Sequence, residues 1–103
     1  MITLAEENYL KAILKLSEEN EASISTNSIA EELSTKASSV TDMIKKLTDK
    51  KLIDYVPYHG VSLTKEGLKK AIEVIRKHRL WEVFLVNKLN FQWDEVHDIA
   101  EQL

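Results

Sequence analysis

Across residues 25–63 the apolar side chains keep a helical period through two short segments and then switch to strict alternation. Ile29, Ala30 and Leu33 form one helical face behind Ser25 or Thr26, either of which can cap a helix by accepting its free backbone amides. Ser34, Thr35 and Lys36 offer no apolar anchor and make a turn. Val40, Met43, Ile44 and Leu47 then fall at i, i+3, i+4 and i+7, a single buried face of a second helix for which Ser38 and Ser39 are competent caps. From Leu52 to Thr64 the period becomes two. Ile53 and Tyr55, then Val61 and Leu63, alternate with more polar positions on either side of a turn at residues 57–60. Pro57 has no amide to give a ladder, so an edge hairpin is expected, and a two-stranded hairpin needs helices beneath it. Two helices on a tight turn, followed directly by a hairpin, predict a helix-turn-helix with a β wing in a mainly α chain.

The face of the second helix turned away from its apolar stripe carries Ser38, Thr41, Asp42 and Lys45, flanked by Ser39 and Lys46. These groups are small, hydrogen-bonding and basic, which suits a helix laid in the major groove of double-stranded DNA. Lys36, Lys45, Lys46, Lys50 and Lys51 are expected mainly on phosphates, and Tyr58 and His59 at the wing tip on the backbone or minor groove. Asp42 is a cytosine-edge acceptor or a capping carboxylate, the second being preferred. The net charge of −3 argues against a nucleic-acid partner until it is resolved along the chain. Residues 1–35 carry −5 and 81–103 carry −4, but 36–51 carry +3 and 65–80 carry +4. A basic patch attracts phosphate even on an acidic protein.

The flanking segments read as supports. Thr3 and Glu6 have capping-box spacing ahead of a stripe of Tyr9, Ile13 and Leu16 that ends near Ser17, with a polar loop at 18–23. Thr64 caps a long helix over 65–88, with Gly67 in its first turn, where glycine costs least, and a stripe of Leu68, Ala71, Ile72 and Ile75. From Leu80 that helix is apolar nearly all round, so Trp81, Phe84 and Leu85 are expected to meet a second subunit. Asp94 caps a last helix containing Val96, Ile99, Ala100 and Leu103. A chain of 103 residues supports one compact domain, zero cysteines exclude disulfides and thiolate metal sites, and no apolar run is long enough for a membrane span. No Ser/His/Asp arrangement, phosphate-cradling glycine loop or thiol nucleophile is present, so an enzyme is not expected. His78 and Glu82 are four apart on one helix, and His97 and Glu101 repeat the spacing on the next. Two such pairs can converge on a divalent cation or stand as surface ion pairs, and spacing leaves both open.

Four segments carry a resemblance: SVTDMIKKL at 39–47, YHGVSLT at 58–64, RKHRLWEVFL at 76–85 and VHDIAE at 96–101. In this order they resemble the metal-dependent repressors of iron and manganese uptake, of the diphtheria-toxin-repressor and manganese-transport-regulator type. The resemblance implies a cytoplasmic homodimer on palindromic DNA, with a winged helix over 1–64 and a helical dimerisation and metal-binding region over 65–103. It places His78, Glu82 and His97 on ancillary metal positions, and Glu101 and Asn8 on primary ones. A Glu rather than a Cys at 101 favours Mn2+ over Fe2+, since carboxylate suits the harder ion. Lys11 departs from the manganese-type pattern, which has a carboxylate there, and would repel a second cation. Two further ligands would follow Glu101, so a C-terminally truncated chain with an incomplete primary site is expected. The alternatives are a winged-helix protein-interaction module and a metal-independent DNA-binding regulator.

Overall fold

The computed structural model describes residues 2–19, 23–57 and 59–89, with side chains as far as Val83. Its elements run α1 (Leu4–Glu19), α2 (Thr26–Leu33), α3 (Ala37–Asp49), β1 (Ile53–Val56), β2 (Gly60–Leu63) and α4 (Lys65–Leu89). The chain divides into two compact units, residues 1–71 and 72–103, with the border inside α4. The winged helix-turn-helix expected from the apolar periods lies in the first.

Each helix start has a local cause. The Thr3 amide donates to Glu6 Oε1 at 2.9 Å and the Glu6 amide to Thr3 Oγ1 at 3.1 Å, a reciprocal capping box that opens α1. Ser25 Oγ accepts the Ser28 amide at 3.0 Å and opens α2. That helix closes on Ser34 in the left-handed region (φ 52°), where the Ser34 and Thr35 amides reach back to the carbonyls of Glu31 and Ala30. The turn sets the start of α3 two or three residues earlier than the serines suggest. Lys36 is extended and acts as N-cap with no side-chain hydrogen bond, and Val40 N–H to Lys36 O at 3.2 Å is the bond it accepts. Ser38 and Ser39 therefore sit inside the first turn, and Asp42, the sixth helical residue, is too far along to cap.

The core of the first unit is drawn from every element around α3. Leu10 and Ile13 of α1, Ile29 of α2, Val40 and Leu47 of α3, Ile53 of β1 and Val61 of β2 are all fully buried. The hairpin pairs antiparallel in the register Ile53↔Leu63, Tyr55↔Val61 and Val56↔Gly60. Its alternation holds for Ile53 and Val61 but not for Tyr55, which is 43% exposed. A further backbone segment ties the wing down. Ile24 and Val61 exchange two N–H···O bonds of 2.8 Å, so β2 lies between β1 and Ile24. Gly60 is needed there twice over: its φ is +102°, and a Cβ would sit 2.5 Å from the Ile24 oxygen.

Along α4 the buried side is not the one the largest apolar residues suggest. Ala71, Val74 and His78 are buried, whereas Leu68, Ile72 and Ile75 are each about 40% exposed. Gly67 explains the phase. Thr64 caps the helix by accepting the Gly67 amide on its hydroxyl at 3.0 Å while that hydroxyl donates to Lys51 O at 2.8 Å, and Thr64 N–H donates to Leu52 O at 3.1 Å. The helix start is thereby drawn against Leu52, and a Cβ on Gly67 would overlap the Leu52 carbonyl. Helical spacing puts Ala71, Val74 and His78 on the Gly67 side. Glycine at 67 is thus required by close approach rather than merely tolerated at a helix end. Alanine would gain about 1 kcal/mol of helix propensity, against an overpacking cost of typically about 1–3 kcal/mol or more. Gly67→Ala is expected to lower the urea midpoint at unchanged m-value. A raised midpoint would show that α4 can back away from Leu52 without loss.

Candidate nucleic-acid interface

The outward side of α3 carries the polar set expected there. Lys36, Ser38, Ser39, Thr41, Asp42, Lys45 and Lys46 are all exposed, opposite the buried Val40, Ile44 and Leu47. Thr41 Oγ1 donates to the Ala37 carbonyl at 3.1 Å and keeps its lone pairs for an outside donor. His59 is exposed at the wing turn, with its amide on Val56 O at 2.9 Å. Tyr58 lies outside the described residues.

Beside this face the structure adds groups that the sequence pattern did not place at the site. A cleft of about 270 Å³ lies along α3, walled by Thr41, Lys45 and Thr48 from the helix, Thr26 from the start of α2 and Tyr55 from the wing. Tyr55 and Thr26 also line a neighbouring hollow of about 200 Å³ with Ser25 and His59. The exposure of Tyr55 follows from its place in this wall. Thr26 and Tyr55 are distant in sequence, and the Ile24–Val61 bridge helps to bring the start of α2 to the wing.

The second unanticipated group is Glu6. Its carboxylate is only 3% exposed and is met by Lys50, the C-cap residue of α3, at 2.7 Å on Oε2 and 2.9 Å on Oε1. Burial pushes the Glu6 pKa up, but the Lys50 hydrogen bond, the Thr3 amide and hydroxyl and the Lys50 charge together outweigh it and leave the group below its ordinary value. Lys50, expected on phosphate, is therefore engaged inside the protein. The available signal was phase: Glu6 lies in step with Tyr9, Leu10 and Ile13 on the inward side of α1. Tyr9 is also buried, and burial raises its pKa against the opposing influence of the Thr35 side chain.

Of the expected metal ligands, Asn8 has its Oδ1 enclosed with no hydrogen-bond partner among the described residues, an oxygen donor fit for a hard divalent ion. His78 is buried, so the surface-ion-pair reading does not describe it. Glu82 lies 3.7 Å from Arg79. His97 and Glu101 lie outside the described residues, among which no three His, Asp or Glu side chains gather closely enough to hold a metal. Trp81 is exposed, as are Leu80 and Val83, while nothing is described of the Phe84 and Leu85 side chains. No described helix is long and apolar enough to cross a membrane.

Residues 1–61 match the family described as iron dependent repressor, N-terminal DNA binding domain. Residues 64–103 match its metal binding and dimerisation domain. The chain belongs to the iron-dependent repressor family. Members of this family are metal-dependent transcriptional repressors. The chain is 39% identical to an HTH-type transcriptional regulator of Methanocaldococcus jannaschii, over 81% of this chain and 66% of that protein. It is 36% identical to the HTH-type transcriptional regulator MntR of Oceanobacillus iheyensis, over 100% of this chain and 71% of that one. A manganese-dependent transcriptional repressor solved in complex with manganese superposes with a TM-score of 0.81 at 40% identity, covering 94% of this chain and 44% of that one. The chain thus spans less than half the length of that repressor.

Proposed function

We propose that the chain is the DNA-reading and metal-sensing part of a homodimeric cytoplasmic repressor that binds palindromic operator DNA and controls manganese or iron homeostasis. The observation that carries this reading is the outward face of α3, where Lys36, Lys45 and Lys46 flank exposed Ser38, Ser39 and Thr41. Lysines of this kind fix register on the phosphates, and the hydroxyls with Asp42 are left to read base edges. Tyr58 and His59 extend the contact from the wing. In this reading residues 1–64 bind DNA and residues 65–103 dimerise and bind metal. Trp81, Phe84 and Leu85 form the dimer contact, supported by the exposure of Leu80, Trp81 and Val83.

Divalent metal, Mn2+ in preference to Fe2+, is held by His78, Glu82 and His97 and by Asn8 and Glu101. The nitrogen and oxygen donor set and the enclosed Asn8 oxygen support this choice. The ion supplies positive charge that draws its ligands together. It changes DNA affinity only to the extent that it binds the DNA-competent arrangement more tightly than the others.

Two outcomes test the reading. Affinity for a palindromic duplex should fall steeply with salt, and Lys45→Glu should abolish binding. Binding that is the same in low and high salt would remove DNA from the account. In a fluorescence-anisotropy titration with manganese, His78→Ala combined with Glu82→Ala should weaken the manganese response about tenfold or more, as loss of metal ligands does. An intact response would remove those two residues from the metal site and leave the DNA assignment standing.

A further inference from the structure

We propose that Glu6 is a positioning residue for the recognition helix, one that pins the exit of α3 through Lys50 and so takes that lysine out of the phosphate-contacting set. The inference rests on the reading of α3 as the DNA-reading element. It concerns the part of that reading which charge alone misjudges, since Lys50 follows Lys45 and Lys46 in the same basic run.

Three features separate this pair from a passing surface contact. The first is burial: the Glu6 side chain is 3% exposed while Lys50 keeps 40% of its own side-chain surface. A buried carboxylate that loses its cation is left uncompensated, whereas an exposed pair loses almost nothing. Lys50 therefore cannot leave for a phosphate without stranding Glu6. The second is that the carboxylate joins two segments. Oε1 accepts from the Thr3 amide and from Lys50, each at 2.9 Å, while the buried Oε2 accepts no hydrogen bond among the described residues and has the Lys50 charge 2.7 Å away. One group thus joins the first turn of α1 to the last turn of α3. The third is the position of Lys50. Its own amide bonds the Lys46 carbonyl at 3.1 Å and the next residue's bonds Thr48 O at 2.9 Å, so holding Lys50 holds the helix end.

The other end of α3 lies near the same helix. Tyr9, three residues after Glu6, is buried with Thr35 beside it, and Thr35 immediately precedes the α3 N-cap Lys36. Glu6 and Tyr9 are neighbours on one face of α1. The Glu6–Lys50 pair therefore braces the recognition helix at its exit, and the brace sets the tilt at which the outward side chains meet a groove.

The test compares affinity for an unselected pool of random-sequence duplex with affinity for a duplex that the wild-type protein has selected from that pool, with manganese present throughout. Lys45→Met should reduce the slope of log K against log salt by about 0.9, the release expected for one phosphate contact. Lys50→Met and Glu6→Gln should leave that slope unchanged. Both should reduce the ratio of selected to unselected affinity about tenfold or more, because a misaligned helix still meets phosphate but not the right bases. Lys50→Arg, which keeps the ion pair, should retain the ratio. A slope lowered by Lys50→Met as it is by Lys45→Met would make Lys50 a phosphate contact and overturn the proposal, as would an unchanged ratio in Glu6→Gln. If the wild-type chain selects no duplex, it is the DNA-reading assignment of α3 that fails. Hydrogen exchange then decides the brace by itself: Glu6→Gln should deprotect the Lys50 and Lys51 amides, and unchanged protection there overturns it.

Discussion

Burial of Val40, Ile44 and Leu47 fixes the rotation of α3, and every group the helix offers to a partner is chosen by that rotation. A turn of about 100°, one residue's worth, would bring parts of this stripe into water. Each buried aliphatic side chain is worth roughly 1.5–3 kcal/mol. The surface charges on the other side contribute about 0–1 kcal/mol per pair. Charge therefore does not set the phase of α3; the core does. The lysines and hydroxyls occupy what is left, which is why the outward face was legible from the apolar positions alone.

Legibility ended where the deciding partner is remote or has no period. Local period located α1, α2, α3, the hairpin and α4, because each depends on residues a few positions apart. It failed on the phase of α4, where apolar side chains stand on two sides and size was the misleading cue. Leu68, Ile72 and Ile75 look like a core stripe, yet the helix start is drawn in on its smallest residue because Thr64 ties it to Lys51 and Leu52. It failed also on the start of α3. Ser38 and Ser39 are good caps by type, but the left-handed turn at Ser34 decides where the helix can begin. The Ile24–Val61 bridge rests on one residue and has no period to detect. Glu6 and Lys50 are 44 residues apart, and pairing over that distance is a property of the fold.

Of the candidate site, the α3 residues were readable and the wall around them was not. Thr26 read as a helix cap and Tyr55 as an inward strand position, so neither stood out as part of the site until the wing was placed beside α2. Asp42 changed meaning in the opposite direction. Its capping role depended on a helix start that the turn excludes, and its exposed place in α3 leaves the cytosine-edge acceptor as the role consistent with the proposed function.

The position of Asn8 connects the proposed metal site to the proposed brace. It lies two residues after Glu6 and one before Tyr9, about 200° round α1 from Glu6. One helix thus carries the oxygen offered to metal on one side and the hold on the recognition helix on another. A metal that alters DNA affinity about five- to 150-fold needs a coupling of about 1–3 kcal/mol. An exposed ion pair at about 0–1 kcal/mol could not transmit that much. Breaking a fully buried pair costs about 3–5 kcal/mol, and this pair, with a buried carboxylate and a lysine 40% exposed, lies between the two limits, so a shift of α1 that leaves Lys50 behind is costly. Movement of the first helix must carry the end of α3 with it, and the burial of Glu6 is what makes that link stiff enough to matter.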